Sequence, residues 1–460
     1  MANAKKSFED AALKKAFDLR HRQTIQFNIS RYDAAVSRGK QQYANLELAR
    51  VRAANQKYKI INDFEYFIKE FEHHFNSRGG KIIFARDASE AMQEILKILK
   101  ERGVRKLVKS KSMITEELDF NEYVEKHEIE SLETDLGEYI VQLAGEKPYH
   151  IITPVMHKSK EDIAALFHEK FNLPPQSSPE EITAFVRDLL REKFVDADCG
   201  VSGANFLVAD IGGVCLTENE GNALMSMSFP RIHIAIAGYD KLIPSYKDLH
   251  LFWPLLATHG TGQNITVYNS LVLGPRQENE TDGPEEMYLV IVDNGRSELL
   301  SKVEQRAAMT CIRCGACLNA CPVYRNIGGH SYGTVYSGPI GAVISPHLKG
   351  MADYHHLSFA SSLCGKCTEV CPMHIDLHKL LLYNRRDAVK EKLTGRSDRL
   401  VMSGWKMVMT KRWMLDKTGS GTKNRVLKMF FRKAWGPRRE IPVVMKKSFN
   451  QQWKELKGIK

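Results

Sequence analysis

Apolar and polar positions change rhythm several times along the 460 residues. Over residues 1–76 apolar side chains recur every three or four positions with charges between them, as in LKKAFDLRHRQTIQF and YANLELARVRAANQKYKIINDFEYFIKEFEHHF. That period lines one face of a helix, so the spacing predicts long amphipathic helices, stopped by Gly79-Gly80. From Lys81 short apolar runs alternate with helical stretches. KIIFARD, the start of KLVKSKS, YHIITP, ANFLVAD, GGVCLTE, IHIAIAG, ITVYNSLVLG and EMYLVIVDNG read as strands. ASEAMQEILKILKERG, part of ITEELDFNEYVEKHEI, EYIVQLAG, SKEDIAALFHEKF, SPEEITAFVRDLLREKF and DLHLFWPLLATHG read as helices. Ser159 and Ser178 open two of them with the Ser-x-x-acid pattern of a capping box. Strand–helix alternation over residues 77–300 implies an α/β domain with a largely parallel sheet. Residues 301–395 read as a small α-helical module of Gly-rich turns and apolar helical pieces, closed by the amphipathic IDLHKLLLYNRRDAVKEKL. Residues 396–460 form a basic extension.

Charge sharpens that last boundary. The net charge is +11, yet residues 401–460 hold 16 Lys and Arg against Asp416, Glu440 and Glu455, so the rest of the chain is slightly acidic. Trp405, Trp413, Trp435 and Trp453 stand among those cations. Aromatics among cations suit an interface with an acidic partner or a membrane surface. No nucleic-acid-binding motif accompanies them, so no nucleic acid is expected. The N-terminal segment lacks the apolar core of a secretory signal. No run approaches eighteen uncharged apolar residues, so no transmembrane span is expected. The expectation is a cytoplasmic protein with reduced thiols, the basic tail leaving peripheral membrane contact open.

Seven of nine cysteines lie between Cys311 and Pro372. CIRCGACLNACP has the C-x2-C-x2-C-x3-C-P spacing of bacterial ferredoxins, and CGKCTEVCP repeats its last three cysteines and proline. Two-residue gaps curl the backbone around one iron–sulfur cube. In two-cluster ferredoxins the cysteine before proline ligates the other cluster. The expected sets are Cys311, Cys314, Cys317 and Cys371 for cluster 1, and Cys321, Cys364 and Cys367 for cluster 2. A full repeat would place a cysteine where Ser361 stands. That gap leaves three outcomes: a [3Fe-4S] cluster, a [4Fe-4S] cluster with Ser361 or water on one iron, or a degenerate motif. Zinc, which takes four ligands in separated pairs, fits two such runs less well.

Three polar loops follow strands, where open α/β sheets place their sites. Lys109-Ser110-Lys111-Ser112 would suit an anion or simply start a helix. Glu218, Glu220 and Asn222 in TENEGN are candidate site residues, weighed against a surface turn. His259 to Asn264 is a third flexible polar loop. Cys215 reads as a buried strand residue, and Cys199 as a loop residue and stray-ligand candidate. His330, His355 and His356 are possible ligands or cluster-tuning groups, though such histidines more often prove structural. Neither usual nucleotide fingerprint is present.

KSKSMITEE (Lys109 to Glu117), TENEGNA, HGTGQNITVYNSLVLGPR, the two cysteine runs and the basic tail together resemble the lactate utilization protein B family, over nearly the whole chain. The resemblance implies a lactate-utilization α/β domain related to sugar-phosphate isomerases and CoA transferases, followed by a two-cluster ferredoxin-like module. It implies an iron–sulfur subunit of a complex oxidising L-lactate to pyruvate for growth on lactate. Two sister subunits are implied: a cysteine-rich one resembling glycolate oxidase subunits, and one carrying a second lactate-utilization domain. GPIGAVISP also looks like the segment between cysteine runs in succinate dehydrogenase iron–sulfur subunits. One departure bears on chemistry. CoA transferases use the Glu of a Ser-Glu-Asn-Gly stretch, and here Glu220 intervenes before Gly221. The main reading is an electron-transfer subunit. The alternative is a transferase or isomerase that uses the Glu218 loop and carries structural clusters.

Overall fold

The computed structural model describes residues 2–411, 413–414, 419–436 and 439–458. They form two compact units, Met1–Asp387 and Ala388–Lys460.

The first unit opens with helices Ala2–Ala16, Leu19–Gly39, Leu46–Asn62 and Phe64–Ser77. Polar residues punctuate them: the Asp18 and Asn45 side chains accept the N–H groups of His21 (3.0 Å) and Leu48 (2.9 Å), which would otherwise lack partners at a helix start. Their apolar faces divide between two cores. Ile25, Ile29 and Ala53 pack in one core with Phe252 and the cysteine loops, while Phe71 and Phe75 pack against Leu207 and Val214.

The α/β region holds ten strands: β1 (Lys81–Ala85), β2 (Lys106–Lys109), β3 (Glu130–Glu133), β4 (Cys199–Ser202), β5 (Phe206–Val208), β6 (Gly213–Glu218), β7 (Ile232–Gly238), β8 (Leu242–Ile243), β9 (Tyr268–Val272) and β10 (Glu286–Val292). Six make a wholly parallel sheet in the order β1-β10-β7-β4-β2-β3. Its central strand β7, IHIAIAG, is buried on both faces, as a helix-covered parallel strand must be. The chain runs outward from β2 to β3, then returns past β2 to β4 and proceeds the other way. The crevice beyond the carboxyl ends of β2 and β4 is therefore a topological switch point. A second, mixed sheet, β8-β5-β6-β9, was not foreseen from the pattern.

Two local readings are corrected. YHIITP is not a strand. The Tyr149 N–H donates to the Pro154 carbonyl (2.9 Å), and His150 Nδ1 accepts the N–H groups of Ile152 and Thr153 (3.1 and 3.2 Å), closing a compact turn in which Tyr149 and Ile151 are buried. Cys199 is not in a loop. It begins β4, is wholly buried, and its thiol is pushed far up by burial, so it behaves as a small core residue. The capping boxes at Ser159 and Ser178 are both formed.

Residues beyond β10 wind into short helices, among them Ala316–Ala320, Pro322–Ile327, Gly338–Leu348, Met351–Phe359, Lys366–Glu369 and Leu377–Lys390. Their apolar side chains do not form a separate core. Ile340, Val343 and Leu381 belong to the same cluster as Phe252 and Leu255 of the helix Leu249–Gly260. The second unit is helical, with Arg396–Thr410 and Phe449–Lys457 its longest described elements. Trp405, Trp413, Trp435 and Trp453 are all exposed there. Asp416 lies outside the described residues. Among the described residues no helix is long and apolar enough to cross a membrane.

Candidate functional site: a cleft joined to two cysteine loops

At the switch point lies a cavity of about 560 Å³. Its floor is the carboxyl ends of β2, β4 and β7, and one wall is the first cysteine loop, through Ile312 and Arg313. All three polar loops singled out from sequence contribute to it, but not as expected. Lys109 points into the protein and is fully buried. Its ammonium pairs with Glu133 (2.7 Å) and donates to Thr115 (2.9 Å), so it is a structural cation. Burial and the neighbouring Glu133 carboxylate push Glu138, beside this pair, well above the usual carboxylate range. Lys111 faces the cavity and donates to the Ile152 carbonyl. His259 is buried in the last turn of its helix, and Gly260 and Thr261 reach the cavity.

Glu218, Glu220 and Asn222 line the same cavity. The Glu218 carboxylate accepts the N–H groups of Ala223 (2.7 Å) and Leu224 (2.8 Å) at the start of the helix Asn222–Ser228. In its hydrogen-bonding orientation the Asn222 amide donates to Glu218 Oε2 (2.6 Å) and accepts the Asp135 N–H (3.1 Å). Burial raises the pKa of Glu218 despite these bonds, and burial together with Asp135 raises that of Glu220. This end of the cleft is acidic.

The opposite end is cationic, and sequence reading missed it. Arg296, 2 % exposed, makes two parallel bonds to Glu117 (2.8 and 2.7 Å) and a third to Asp240 (2.9 Å). Such a fork-to-fork pair fixes geometry as well as charge. Gly238 is required beneath it, since a Cβ there would lie 2.3 Å from Arg296 Nε. Arg313 reaches across from the cysteine loop, stacks 4.6 Å from the Tyr336 ring and donates to Asp240 (3.0 Å), while the Tyr336 hydroxyl donates to Glu117 (2.8 Å). Lys57 holds the Asp240 and Leu242 carbonyls from below. Burial opposes the charge on Asp240, but Arg313 and Arg296 hold it far below the usual carboxylate range. Lys241 borders the cavity, and burial draws its pKa down to about 8. The signal available in sequence was Arg313 itself, a charge between two cysteines of the first run, half-buried Cys311 and buried Cys314. Glu117, Asp240 and Arg296 are brought together only by the tertiary fold.

The cysteines fall into two groups. Cys311, Cys314, Cys317 and Cys371 line one small cavity with Gly315, Ile340 and Pro372. Cys314, Cys317 and Cys371 each feel the charge of Cys311, whereas Cys321 and Cys367 feel that of Cys364. Burial first, then repulsion within each group, pushes Cys371 up to about 12 and Cys367 up to about 11. Buried thiols that would repel one another as thiolates suit a cationic metal core. Among the described residues no three of these sulfurs lie within 4.8 Å of one another, whereas zinc bonded to thiolates at about 2.3 Å would hold them about 3.8 Å apart.

The two loops repeat a backbone conformation. Arg313 and Gly315 flank Cys314 with φ of 59° and 76°, and Leu363 and Gly365 flank Cys364 with φ of 55° and 79°. Left-handed conformations at non-glycine residues are uncommon. Each glycine precedes a one-turn helix carrying the next cysteine. Pro322 occupies the first turn of the next helix, where its missing N–H costs nothing, and Cys321 Sγ accepts the Tyr324 N–H (3.5 Å). Arg50, from the N-terminal helices, clamps the second loop by donating to the carbonyls of Cys371 (2.7 Å) and Glu369 (3.1 Å). Ser361, at the position of the absent cysteine, accepts the Leu363 N–H (3.1 Å). Cys364 is exposed, in contrast to the first loop. His355 and His356 bond back along their own helix, and His330 packs beside His157 near Glu146.

A parallel-sheet cleft fused to paired cysteine loops defines an α/β iron–sulfur protein, and known families agree. The LUD domain family matches residues 68–292 and the 4Fe-4S dicluster domain family residues 307–375. The chain belongs to the lactate utilization protein B family. Lactate utilization protein B of Bacillus cytotoxicus is 44% identical over 409 residues, 86% of each chain. That of Shouchella clausii is 38% identical over 445 residues, 94% of this chain and 93% of its own. A DUF162 family protein of Deinococcus radiodurans, known from its crystal structure, is 12% identical over 50% of this chain and 97% of its own, with a TM-score of 0.26, too distant to define the fold.

Proposed function

We propose that this chain is the cytoplasmic iron–sulfur electron-transfer subunit of an assembly that oxidises L-lactate to pyruvate, releasing two electrons and two protons. Its partners in this reading are a cysteine-rich subunit resembling those of glycolate oxidase and a second lactate-utilization-domain protein. The observation that carries the reading is the repeated loop geometry: one cysteine loop walls the cleft, and its repeat places Cys364 at the surface. Cys311, Cys314, Cys317 and Cys371 would hold one cluster, and Cys321, Cys364 and Cys367 the other. Bound clusters supply one-electron steps, so a pair can take both electrons in succession. The residues around them hold the loops at fixed distance. Arg50 ties the second loop to the N-terminal helices, and Arg313 ties the first to Asp240. The Glu218 carboxylate already accepts two backbone N–H groups, which favours the relay over chemistry at that loop.

The test is anaerobic purification with iron analysis and EPR. Roughly eight irons per chain with two interacting reduced signals indicates two cubes. Roughly seven with a three-iron signal when oxidised indicates an open corner at Ser361. Roughly four refutes the relay within one module. Co-purification with the sister subunits, and reduction of the clusters by L-lactate only in their presence, supports the subunit role. Lactate oxidation by the chain alone refutes it.

A further inference from the structure

We propose that the cationic end of the cleft is a binding subsite for a small carboxylate, a 2-hydroxy or 2-oxo acid, held by Lys241 and Arg313 directly beside the first cysteine loop. The inference takes only the identity of the acid from the redox reading, and its geometry stands independently. Arg313 is 9 % exposed, and its Nη1 has no hydrogen-bond partner among the described residues. A guanidinium carries five N–H donors, and a buried one left unpaired is costly, so an acceptor is missing. Its neighbour Lys241 makes no hydrogen bond or ion pair among the described residues, while Arg296 is fully engaged. Lys57, Lys241, Arg296 and Arg313 thus face two carboxylates, Asp240 and Glu117, and, for Lys57, Lys241 and Arg313, the Cys311 thiolate. This end carries an excess of positive charge in a place sheltered from water, where an anion is held more strongly than in bulk solvent.

The other end sets orientation. Asp135, Glu218 and Glu220 outnumber Lys111 there and repel a carboxylate. A hydroxyl can donate there, so a hydroxy acid would lie with its carboxylate toward the cysteine loop. Because Arg313 stands between Cys311 and Cys314, a bound anion and an electron on the first cluster compete for the same cations. By reciprocity, anion binding lowers that cluster's midpoint potential, and reduction weakens anion binding by the same factor.

The experiment uses the full chain with its iron loaded anaerobically. Pyruvate, L-lactate and inorganic phosphate are titrated calorimetrically into the oxidised protein and into the Lys241→Gln, Arg313→Gln and Lys193→Gln variants. Potentiometric EPR is recorded with and without pyruvate. The expected result is carboxylate binding that weakens at least about tenfold in Lys241→Gln and Arg313→Gln and is unchanged in Lys193→Gln, whose lysine pairs with Glu130 at the surface, outside the cleft and the cysteine loops. Pyruvate should shift one cluster's midpoint downward in the unaltered chain and not in Lys241→Gln. If Arg313→Gln loses iron, Lys241→Gln at full iron content decides. Equal affinity in Lys241→Gln, or no binding of any probe, overturns the subsite. Binding of phosphate alone overturns its assignment to a carboxylate. A midpoint change in Lys241→Gln without anion binding assigns these cations to the cluster alone and also overturns it. Two reducible clusters with no anion binding refute the subsite and leave the relay standing, whereas anion binding by a chain with one cluster does the reverse.

Discussion

Replacing Asp240 with Asn is the sharpest probe of the network joining the cleft to the cysteine loop. Asp240 is 4 % exposed and accepts from Arg296 (2.9 Å) and Arg313 (3.0 Å). An Asp240→Asn change keeps the shape and removes the charge. Arg313 then has no carboxylate partner, and Arg296 retains only Glu117. Removing one member of a buried ion pair costs about 3–5 kcal/mol, because the partner's desolvation remains. The unit has 387 residues. At about 2.1 cal/mol/K per residue its unfolding entropy is about 0.8 kcal/mol/K, so Tm should fall by about 4–6 °C. Differential scanning calorimetry under anaerobic conditions measures this, with Lys193→Gln as a control. That lysine belongs to an exposed pair with Glu130, and such pairs contribute about 0–1 kcal/mol. A drop under about 2 °C for Asp240→Asn, or an equal drop in the control, would refute the claim that this network stabilises the fold.

Three further outcomes are expected. Cys371→Ser, though in the second run, should remove the same EPR signal as Cys311→Ser, and Cys321→Ser the same as Cys367→Ser; pairing by run instead would refute the crossed ligand sets. Glu218→Ala should cost about 0.5–2 kcal/mol of stability, as loss of a helix cap does, yet leave cluster reduction intact in EPR titration. His233 is wholly buried against Ser202 (2.8 Å), and burial lowers its pKa to about 4. The unfolded chain therefore takes up a proton at about pH 6.5 that the folded chain refuses until about pH 4. Stability contributed above pH 6.5 is lost as pH falls through that window, by at most about 1.4 kcal/mol per unit, and His233→Asn should flatten the slope of Tm against pH there.

What was legible in the sequence was what local spacing encodes. The cysteine runs, the capping serines and the long amphipathic helices each depend on residues within a few positions of one another. The parallel sheet followed from alternation, and β7 from its unbroken apolar run. β3 and β4 escaped because ESLE puts two glutamates and a serine into a short strand with a single apolar residue, and CGVS fills a wholly buried strand with mostly small side chains. YHIITP has the composition of a strand, but the His150 side chain holds it in a turn. The cationic end of the cleft was illegible for another reason. Glu117 and Arg296 lie far apart in the chain, and no local pattern tells a charge that pairs inside from one that faces water. Lys109 shows the converse, a lysine in a polar loop that the fold turns inward onto Glu133.

The interleaving of the two cysteine groups also constrains biosynthesis. Cys371 leaves the ribosome well after Cys311, Cys314 and Cys317, yet lines the same cavity, and Cys321 is made before the loop whose charge it shares. A nascent chain that ends between the runs therefore has three of the four thiols of one group and a single thiol of the other. Under the proposed ligand sets neither site is complete until both runs have emerged. Metallation must then follow translation of the whole module, and a truncated product cannot be left holding one finished, oxygen-sensitive redox centre.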